Sequence, residues 1–180
     1  MLQNPGWDWT VMSLCRADDR DRSVKFQEVC QCLGAQGIIT DLDDSSPLKP
    51  VDPPREIGWR IRHHLVGRDW NLVVTHGRNG EYGHQRHMEV NGEVLRLATS
   101  GVLVCRELWT FAYVCDAQTG HCIASQGCDI RLPLTEQQLR QKHRIVREMY
   151  GYGQDSFEVR ACISPEGFHR RLIGQGGQRQ

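Results

Sequence analysis

WNLVVTHGRNGEYGHQRH, residues 70–87, joins an apolar, β-branched run to a polar loop that carries three glycines and three histidines. Together with the preceding residue, the apolar run predicts a short strand over residues 69–75 that is buried on both faces. The glycines allow tight turns and a close approach of a ligand to the backbone. In open α/β sheets, ligands bind beyond the carboxyl ends of the strands, which is where this loop lies.

The histidines and the tyrosine of this loop are the side chains best suited to chemistry. His84 and His87 are three residues apart at the start of a predicted helix, so their rings share one face. Neutral imidazole binds metals, and Tyr82 offers a hydroxyl close to both histidines. A polar loop without a metal remains the alternative, because an H-x-x-H pair is much less specific than H-E-x-x-H.

Outward from this stretch, strand-like and helix-like patterns alternate along the chain. Their order predicts an α/β, Rossmann-like fold with a mostly parallel sheet and helices on both faces. A single domain is expected over residues 1–180, with a disordered tail at 174–180. Strands are predicted at 9–15, 38–42, 69–75, 107–114 and 122–132, the last of them antiparallel at an edge. Helices are predicted from Asp21 to Gly34 or Gly37 with Val24 on the apolar face, at 54–67, at 84–97 with a weak point at Asn91–Gly92, and at 135–150 with Thr135 and Gln138 as a capping box. The acidic stretch at 18–22 is either a turn that caps the first helix or part of a pocket mouth.

The composition excludes several classes of function. The 22 basic and 22 acidic side chains give a net charge of zero, without the basic excess typical of nucleic-acid-binding proteins. No apolar run approaches the ~20 residues that a membrane span requires. We therefore expect a cytoplasmic protein that acts on a small molecule, has no nucleic-acid or membrane partner, and is open to homo-oligomerisation.

The eight cysteines are expected to be reduced thiols that pack as small hydrophobic side chains. Cys115, His121, Cys122 and Cys128 lie within fourteen residues and form an alternative zinc cluster. Their spacing contains no C-x-x-C pair, and adjacent residues of a strand point to opposite faces, so the spacing disfavours such a cluster.

The stretch GEYGHQRH resembles the second motif of the LmbE/PIG-L family of zinc-dependent deacetylases, which remove acetyl groups from N-acetylglucosamine-type amides. SLCRADDRDRSVKF, LGAQGIITDLDD and ELWTFAY also resemble elements of that family. The resemblance implies that His87 is a zinc ligand and that His84 stabilises the tetrahedral intermediate. It further implies that Tyr82 assists the substrate carbonyl and that Arg22 contacts substrate.

The family's first motif, H-x-D-D, is absent from the chain. In RADDRD, Asp18 and Asp19 lack a histidine two residues upstream, and Arg86 stands where the family often has a hydrogen-bond acceptor. We therefore expect a fold that lacks its first strand through truncation at the N-terminus, and a half-complete site with weak or absent zinc binding.

Three functions follow from these patterns. The first is a zinc-dependent deacetylase acting on N-acetylglucosamine-like amides, with half of its metal site missing from this chain. The alternative is a non-catalytic relative that binds a sugar or a partner. A nucleotide-binding Rossmann protein is disfavoured, because no G-x-G-x-x-G follows any predicted strand.

Overall fold

The computed structural model describes residues 1–45, 47–116, 119 and 121–174, so that most of the expected tail, from residue 175, lies outside the described residues. Two compact units form, one from residues 1–50 and 134–162 and the other from 51–133 and the chain after 162. In chain order the elements are β1 (Trp9–Cys15), α1 (Arg20–Cys32), β2 (Ala35–Leu42), α2 (Pro53–Leu65), β3 (Trp70–Thr75), α3 (Gly80–Gly83), α4 (Gln85–Thr99), β4 (Cys105–Phe111), β5 (Tyr113–Cys115), β6 (Cys122–Ala124), β7 (Ile130–Leu132), α5 (Glu136–Arg144) continued by a π-helical segment (Ile145–Met149), α6 (Phe157–Arg160) and β8 (Glu166–Leu172).

In the first unit, the predicted strands at 9–15 and 38–42 pair in parallel as β1 and β2. The helix α1 packs on β2 and buries Phe26, Val29 and Cys30. Gly37 on β2 permits this packing, because a Cβ there would lie 3.0 Å from both the Phe26 ring and the Cys30 sulfur. The predicted capping box of Thr135 and Gln138 is present at the start of α5.

The ends and the buried face of α1 differ in part from the prediction. Asp19, and not Asp21, accepts a hydrogen bond from the Arg22 backbone N–H as the N-cap. The helix stops before Gly34, whose φ of +66° favours glycine. Val24 was expected on the apolar face but is 52 % exposed. The acidic turn at 18–22 therefore caps α1, which is one of the two roles that its sequence predicted.

In the second unit the sheet is mixed, in the order β3-β4-β8-β7. β3 and β4 are parallel, whereas β8 is antiparallel to both β4 and β7. The α/β class is thus correct, but the expectation of a mostly parallel sheet is wrong for this unit. The physical reason is β8, which inserts between β4 and β7 and forms antiparallel hydrogen-bonded ladders with both.

The single strand predicted over residues 107–114 is two strands. The hydrogen bonding changes at Ala112, directly after β4. Its N–H still donates to Gly167 O on β8 at 2.9 Å, whereas its carbonyl accepts from Ser125 N at 2.8 Å. The next residues form β5, which pairs in an antiparallel hairpin with β6. The sequence 122–132 likewise divides into β6 and β7, and β7 is an antiparallel edge strand as expected.

Two helices of the second unit, α2 and α4, pack on each other, and α4 also contacts β3 and β4. Gly58 on α2 makes this possible, because a Cβ there would lie 2.1 Å from Glu93 Oε1. Glu93 is 3 % exposed and is held by Arg96 at 2.6 and 2.8 Å. Ile57 and Leu97 are fully buried in the same unit. The Asn91–Gly92 pair, expected to weaken α4, does not interrupt it.

The cysteines of the β5–β6 hairpin are oxidised. Cys115 and Cys122 form a disulfide across the last register pair of the hairpin. The expectation that all eight thiols are reduced is therefore wrong, and these two sulfurs are not available to the alternative zinc cluster.

Among the described residues, no helix combines the length and the apolar character that crossing a membrane requires.

Candidate metal centre

The end of β3 places His76 in the second unit. Thr75 is buried, and the chain then passes close to β4: a Cβ at Gly77 would lie 2.4 Å from the Phe111 carbonyl oxygen. Only glycine therefore fits at this point. The His76 ring lies 6.3 Å from the Phe111 ring and turns toward the loop that follows.

The loop then forms the short helical turn α3, which orients Glu81. Asn79 caps the turn, with Oδ1 accepting from the Glu81 N–H at 3.3 Å. Glu81 has φ +61° and ψ −59°, which a non-glycine residue rarely adopts. Strained backbone of this kind persists where the surrounding structure holds it, and it is concentrated at functional sites.

The Glu81 carboxylate is bonded on both of its oxygens. Oε1 accepts from the Gly77 N–H at 2.6 Å. Oε2 lies 3.0 Å from His76 Nδ1 and 2.5 Å from His87 Nδ1. Burial favours the neutral acid, but the hydrogen bonds with His76, His87 and Gly77 outweigh it and lower the pKa of Glu81 to about 2. The side chain is therefore an anion at neutral pH.

His87 projects from the first turn of α4 toward the same carboxylate. Its ring stacks on that of His76, with centroids 3.7 Å apart and planes 16° from parallel. The donor atoms of His76, Glu81 and His87 all lie within 4.8 Å of one another. We call these three residues the donor triad. Each of its side chains is one-third exposed or less, so the triad is partly shielded yet reachable from solvent.

Asn91, on α4, binds the backbone of His76 at the end of β3. Its Nδ2 donates to the His76 carbonyl oxygen at 2.8 Å, and the residue is 7 % exposed. This bond ties the helix that carries His87 to the backbone that carries His76. Two of the three donors are thus held in register by one buried amide.

The residues predicted from sequence are placed as follows. His87 belongs to the donor triad, whereas His84 and Tyr82 lie beside it, with ring centroids 4.5 and 5.6 Å from that of His87. Tyr82 is 47 % exposed. Arg22 lies in the first unit, where its guanidinium carbon is 4.7 Å from the centroid of the Tyr152 ring.

The structure brings more possible metal-donor atoms together than the sequence indicated. His76 and Glu81 lie beside His87, whereas the sequence had indicated His87 alone as a candidate metal ligand. Glu81 also supplies the hydrogen-bond acceptor that Arg86 cannot. Arg86 is instead buried and pairs with Glu89 at 2.6 Å. The position of His76 directly after β3 was a usable signal, whereas the role of Glu81 depends on its positive φ, which no sequence pattern specified.

Comparison with known proteins gives a likeness of fold. No family model and no curated protein matches the chain. Among solved structures, the chain is similar to GalB, the 4-carboxy-2-hydroxymuconate hydratase from Pseudomonas putida KT2440. That likeness has a TM-score of 0.57 and 14 % sequence identity, and covers 99 % of this chain and 90 % of GalB. It supports the α/β fold.

Proposed function

We propose that the chain is a metal-dependent enzyme in which His76, Glu81 and His87 hold one divalent cation and the reaction adds water to a carbonyl-bearing substrate. The observation that carries the proposal is the convergence of two imidazole Nδ1 atoms on a single carboxylate oxygen. This ligand set revises the expectation of weak or absent zinc binding.

The donor triad fits a cation in its chemistry and brings its three donor atoms within 4.8 Å of one another. Two histidines and one glutamate are a ligand set of catalytic zinc sites, which keep a further position open for water or substrate. Ligands bound at ~2.1 Å to one tetrahedral ion lie about 3.4 Å from each other, so the Nδ1–Oε2 separations of 3.0 Å at His76 and 2.5 Å at His87 must widen when a cation binds. The alternative is a metal-free arrangement in which each Nδ1–H donates to Glu81.

The surrounding residues have separate tasks in this proposal. A bound divalent cation supplies Lewis acidity, which lowers the pKa of water and polarises a carbonyl. Glu81 remains an anion and keeps both imidazoles directed at one point. His84 and Tyr82 flank His87, where a ring N–H and a phenol hydroxyl are suited to stabilising negative charge that develops on the substrate oxygen.

The substrate class proposed first is an acetylated amino sugar, from which hydrolysis of the amide releases acetate. The support is the resemblance of GEYGHQRH to the second motif of the LmbE/PIG-L deacetylases. A second candidate is hydration of an unsaturated carboxylic acid, favoured by the likeness of fold to the hydratase GalB. Acetate release separates the two, because hydration adds water without a leaving group. A non-catalytic sugar-binding role is the third outcome.

The test begins with metal content. Purified chain is stripped with a chelator, reloaded with zinc and assayed for bound metal by mass spectrometry, together with His76→Ala, Glu81→Gln and His87→Ala. We expect one zinc per parent chain and a large loss in each variant. The matched control is His63→Ala, because His63 is a histidine of the same unit that stacks on exposed Trp59.

Activity is measured on the same samples. Release of acetate from N-acetylglucosamine derivatives by the zinc-loaded chain supports the deacetylase, and consumption of an unsaturated carboxylate without acetate supports the hydratase. Full zinc binding with neither activity supports a binding role. Zinc content that is equal in the parent, Glu81→Gln and His63→Ala overturns the assignment of the donor triad.

A further inference from the structure

We infer that the Cys115–Cys122 disulfide holds residues 76–84, which we call the metal-binding loop, in place. Reduction of this disulfide therefore weakens metal binding at the donor triad. The inference rests on the proposed metal site and adds control of that site by redox state. It follows from a continuous series of contacts within the second unit, from the disulfide through the hairpin and Asn79 to Glu81.

The hairpin of β5 and β6 is short, and its two ends are held differently. Its register pairs are Tyr113↔Ala124, Val114↔Ile123 and Cys115↔Cys122. Beyond Ala124 the strand is anchored, because its neighbour Ser125 donates to the Ala112 carbonyl. The opposite end is closed by the disulfide. Two-stranded hairpins of this size are marginally stable alone, so the covalent closure limits how far the strands separate.

The side chain of Asn79 bonds the metal-binding loop to the hairpin. Asn79 Nδ2 donates to the Tyr113 carbonyl oxygen at 2.9 Å. The same amide contacts Glu81 twice, with Oδ1 accepting from its N–H at 3.3 Å and Nδ2 lying 3.4 Å from its carbonyl oxygen. Asn79 therefore joins β5 to the residue that contributes the triad's anion.

Glu81 needs this support because of its backbone conformation. At φ +61° the residue is strained, and such conformations persist only when neighbouring contacts enforce them. Tyr113 pairs with Ala124 at the anchored end, two residues along β5 from Cys115. When reduction frees the Cys115 end, the Tyr113 carbonyl becomes a less fixed acceptor for Asn79, and the backbone of Glu81 gains freedom to relax. The carboxylate then spends less time between His76 and His87, and the affinity for a cation falls.

The redox step is ordinary thiol–disulfide exchange with a dithiol. One thiolate of the dithiol attacks a sulfur of the Cys115–Cys122 bond, giving a mixed disulfide and one free cysteine thiolate. The second thiolate then displaces the other cysteine. The dithiol becomes a disulfide, and its two electrons and two protons end on Cys115 and Cys122.

The test measures the affinity for Co²⁺ by titration followed through its absorption spectrum. Four chains are compared without reductant: the oxidised parent, Cys115→Ser/Cys122→Ser, Asn79→Ala, and all three changes together. Serine replaces cysteine so that new thiols do not bind the cobalt. The matched control is Cys128→Ser, because Cys128 is a free cysteine of the same unit.

We expect the double-serine variant and Asn79→Ala each to raise the Kd for Co²⁺ roughly fivefold, the effect of losing one hydrogen bond. The combined variant should bind no more weakly than Asn79→Ala, because both changes break the same series of contacts. Cys128→Ser should bind as the parent does. The parent is also reduced with a dithiol, desalted under argon and later reoxidised. Its affinity for Co²⁺ should fall on reduction and return on reoxidation, and this measurement replaces the double-serine variant if that variant does not fold.

Equal Kd values in the oxidised parent, the reduced parent and the double-serine variant overturn the inference while leaving the metal site intact. Fully additive effects in the combined variant overturn the route through Asn79. Absence of Co²⁺ binding by the oxidised parent overturns both the inference and the proposed metal site.

Discussion

The Glu81 carboxylate and the His87 imidazole lie 2.5 Å apart, between Oε2 and Nδ1, although Glu81 belongs to α3 and His87 to α4. This is shorter than an ordinary N–H···O hydrogen bond of ~2.9 Å. The same Oε2 also reaches His76. One oxygen thus organises two imidazoles, and the predictions below follow from this arrangement and the packing that supports it.

The first prediction concerns Asn91, the amide that binds the His76 carbonyl oxygen. Asn91→Ala removes a buried donor and leaves that carbonyl without its side-chain partner. We expect the free energy of unfolding to fall by about 1–3 kcal/mol, and the affinity for zinc to fall with it. Chemical denaturation of metal-free protein and a zinc titration measure the two effects.

The control for Asn91 is Asn71→Ala, because Asn71 is exposed on β3 in the same unit. This change should alter the free energy of unfolding by less than ~0.5 kcal/mol. Equal stabilities of the two variants would show that the bond from Asn91 to His76 does not support the site.

The second prediction concerns how the free energy of unfolding of the metal-free chain changes at acidic pH. The folded-state pKa of Glu81 is about 2, below its ordinary value of 4.5. The folded state therefore binds this proton less tightly than the unfolded state does. The stabilisation from Glu81 is fully present above pH 4.5 and is lost as the pH falls toward 2.

Denaturation of parent and Glu81→Gln between pH 5 and pH 2.5, in the presence of a chelator, measures this contribution. The difference between their free energies of unfolding should shrink as the pH falls. A difference that stays constant over this range would mean that Glu81 does not carry its charge against the two histidines.

The third prediction has the opposite sign and concerns Glu166, whose carboxyl accepts a hydrogen bond from the Tyr113 hydroxyl. Burial raises the pKa of Glu166 to about 7 from its ordinary value of 4.5. The folded state therefore holds this proton more tightly, and stability is lost as the pH rises from 4.5 through 7. Relative to the parent, Glu166→Gln should gain stability over that interval.

Thermal unfolding of parent and Glu166→Gln at pH 4.5 and pH 8 measures the effect. Glu107→Gln is the comparison, because a pair with Arg170 lowers the pKa of Glu107 and its effect should not grow with pH above 4.5. A Glu166→Gln variant that gains no stability at pH 8 relative to pH 4.5 would contradict the buried, proton-binding carboxyl.

The fourth prediction contrasts two helical glycines. Gly58→Ala places a Cβ against the buried Glu93 carboxylate, so the contact between α2 and α4 must open. We expect a loss on the order of 1–3 kcal/mol. Gly92→Ala meets nothing within 4 Å and should gain about 0.5–1 kcal/mol from helix propensity. Destabilisation of similar size in both variants would argue against tight packing at Gly58.

The sequence predicted those elements whose patterns are local. The strand ending at Thr75 and the capping box of Thr135 and Gln138 were predicted from short runs of residues, and the structure confirms both elements. The expected burial of that strand on both faces is wrong, because Asn71 and Val74 are exposed. No strand was predicted at β8, because three of the seven residues of EGFHRRL are charged and only Gly167 and Phe168 are buried. Its place between β4 and β7 depends on long-range pairing.

The donor triad was predicted only in part for a similar reason. His87 stood out through its spacing from His84, whereas Glu81 joins the triad through an unusual backbone conformation. Asn91 was interpreted as a weak point of α4, but its buried amide binds the end of β3. Cys115 and Cys122 are seven residues apart, and their pairing depends on the hairpin register.

The central claim is that His76, Glu81 and His87 together hold one cation. X-ray absorption at the zinc edge, on the chain loaded with one equivalent of zinc, tests it most directly. We expect nitrogen and oxygen neighbours around zinc, with two imidazoles, and loss of that spectrum in Glu81→Gln and His87→Ala. A shell that contains sulfur, or a spectrum unchanged in both variants, would contradict it.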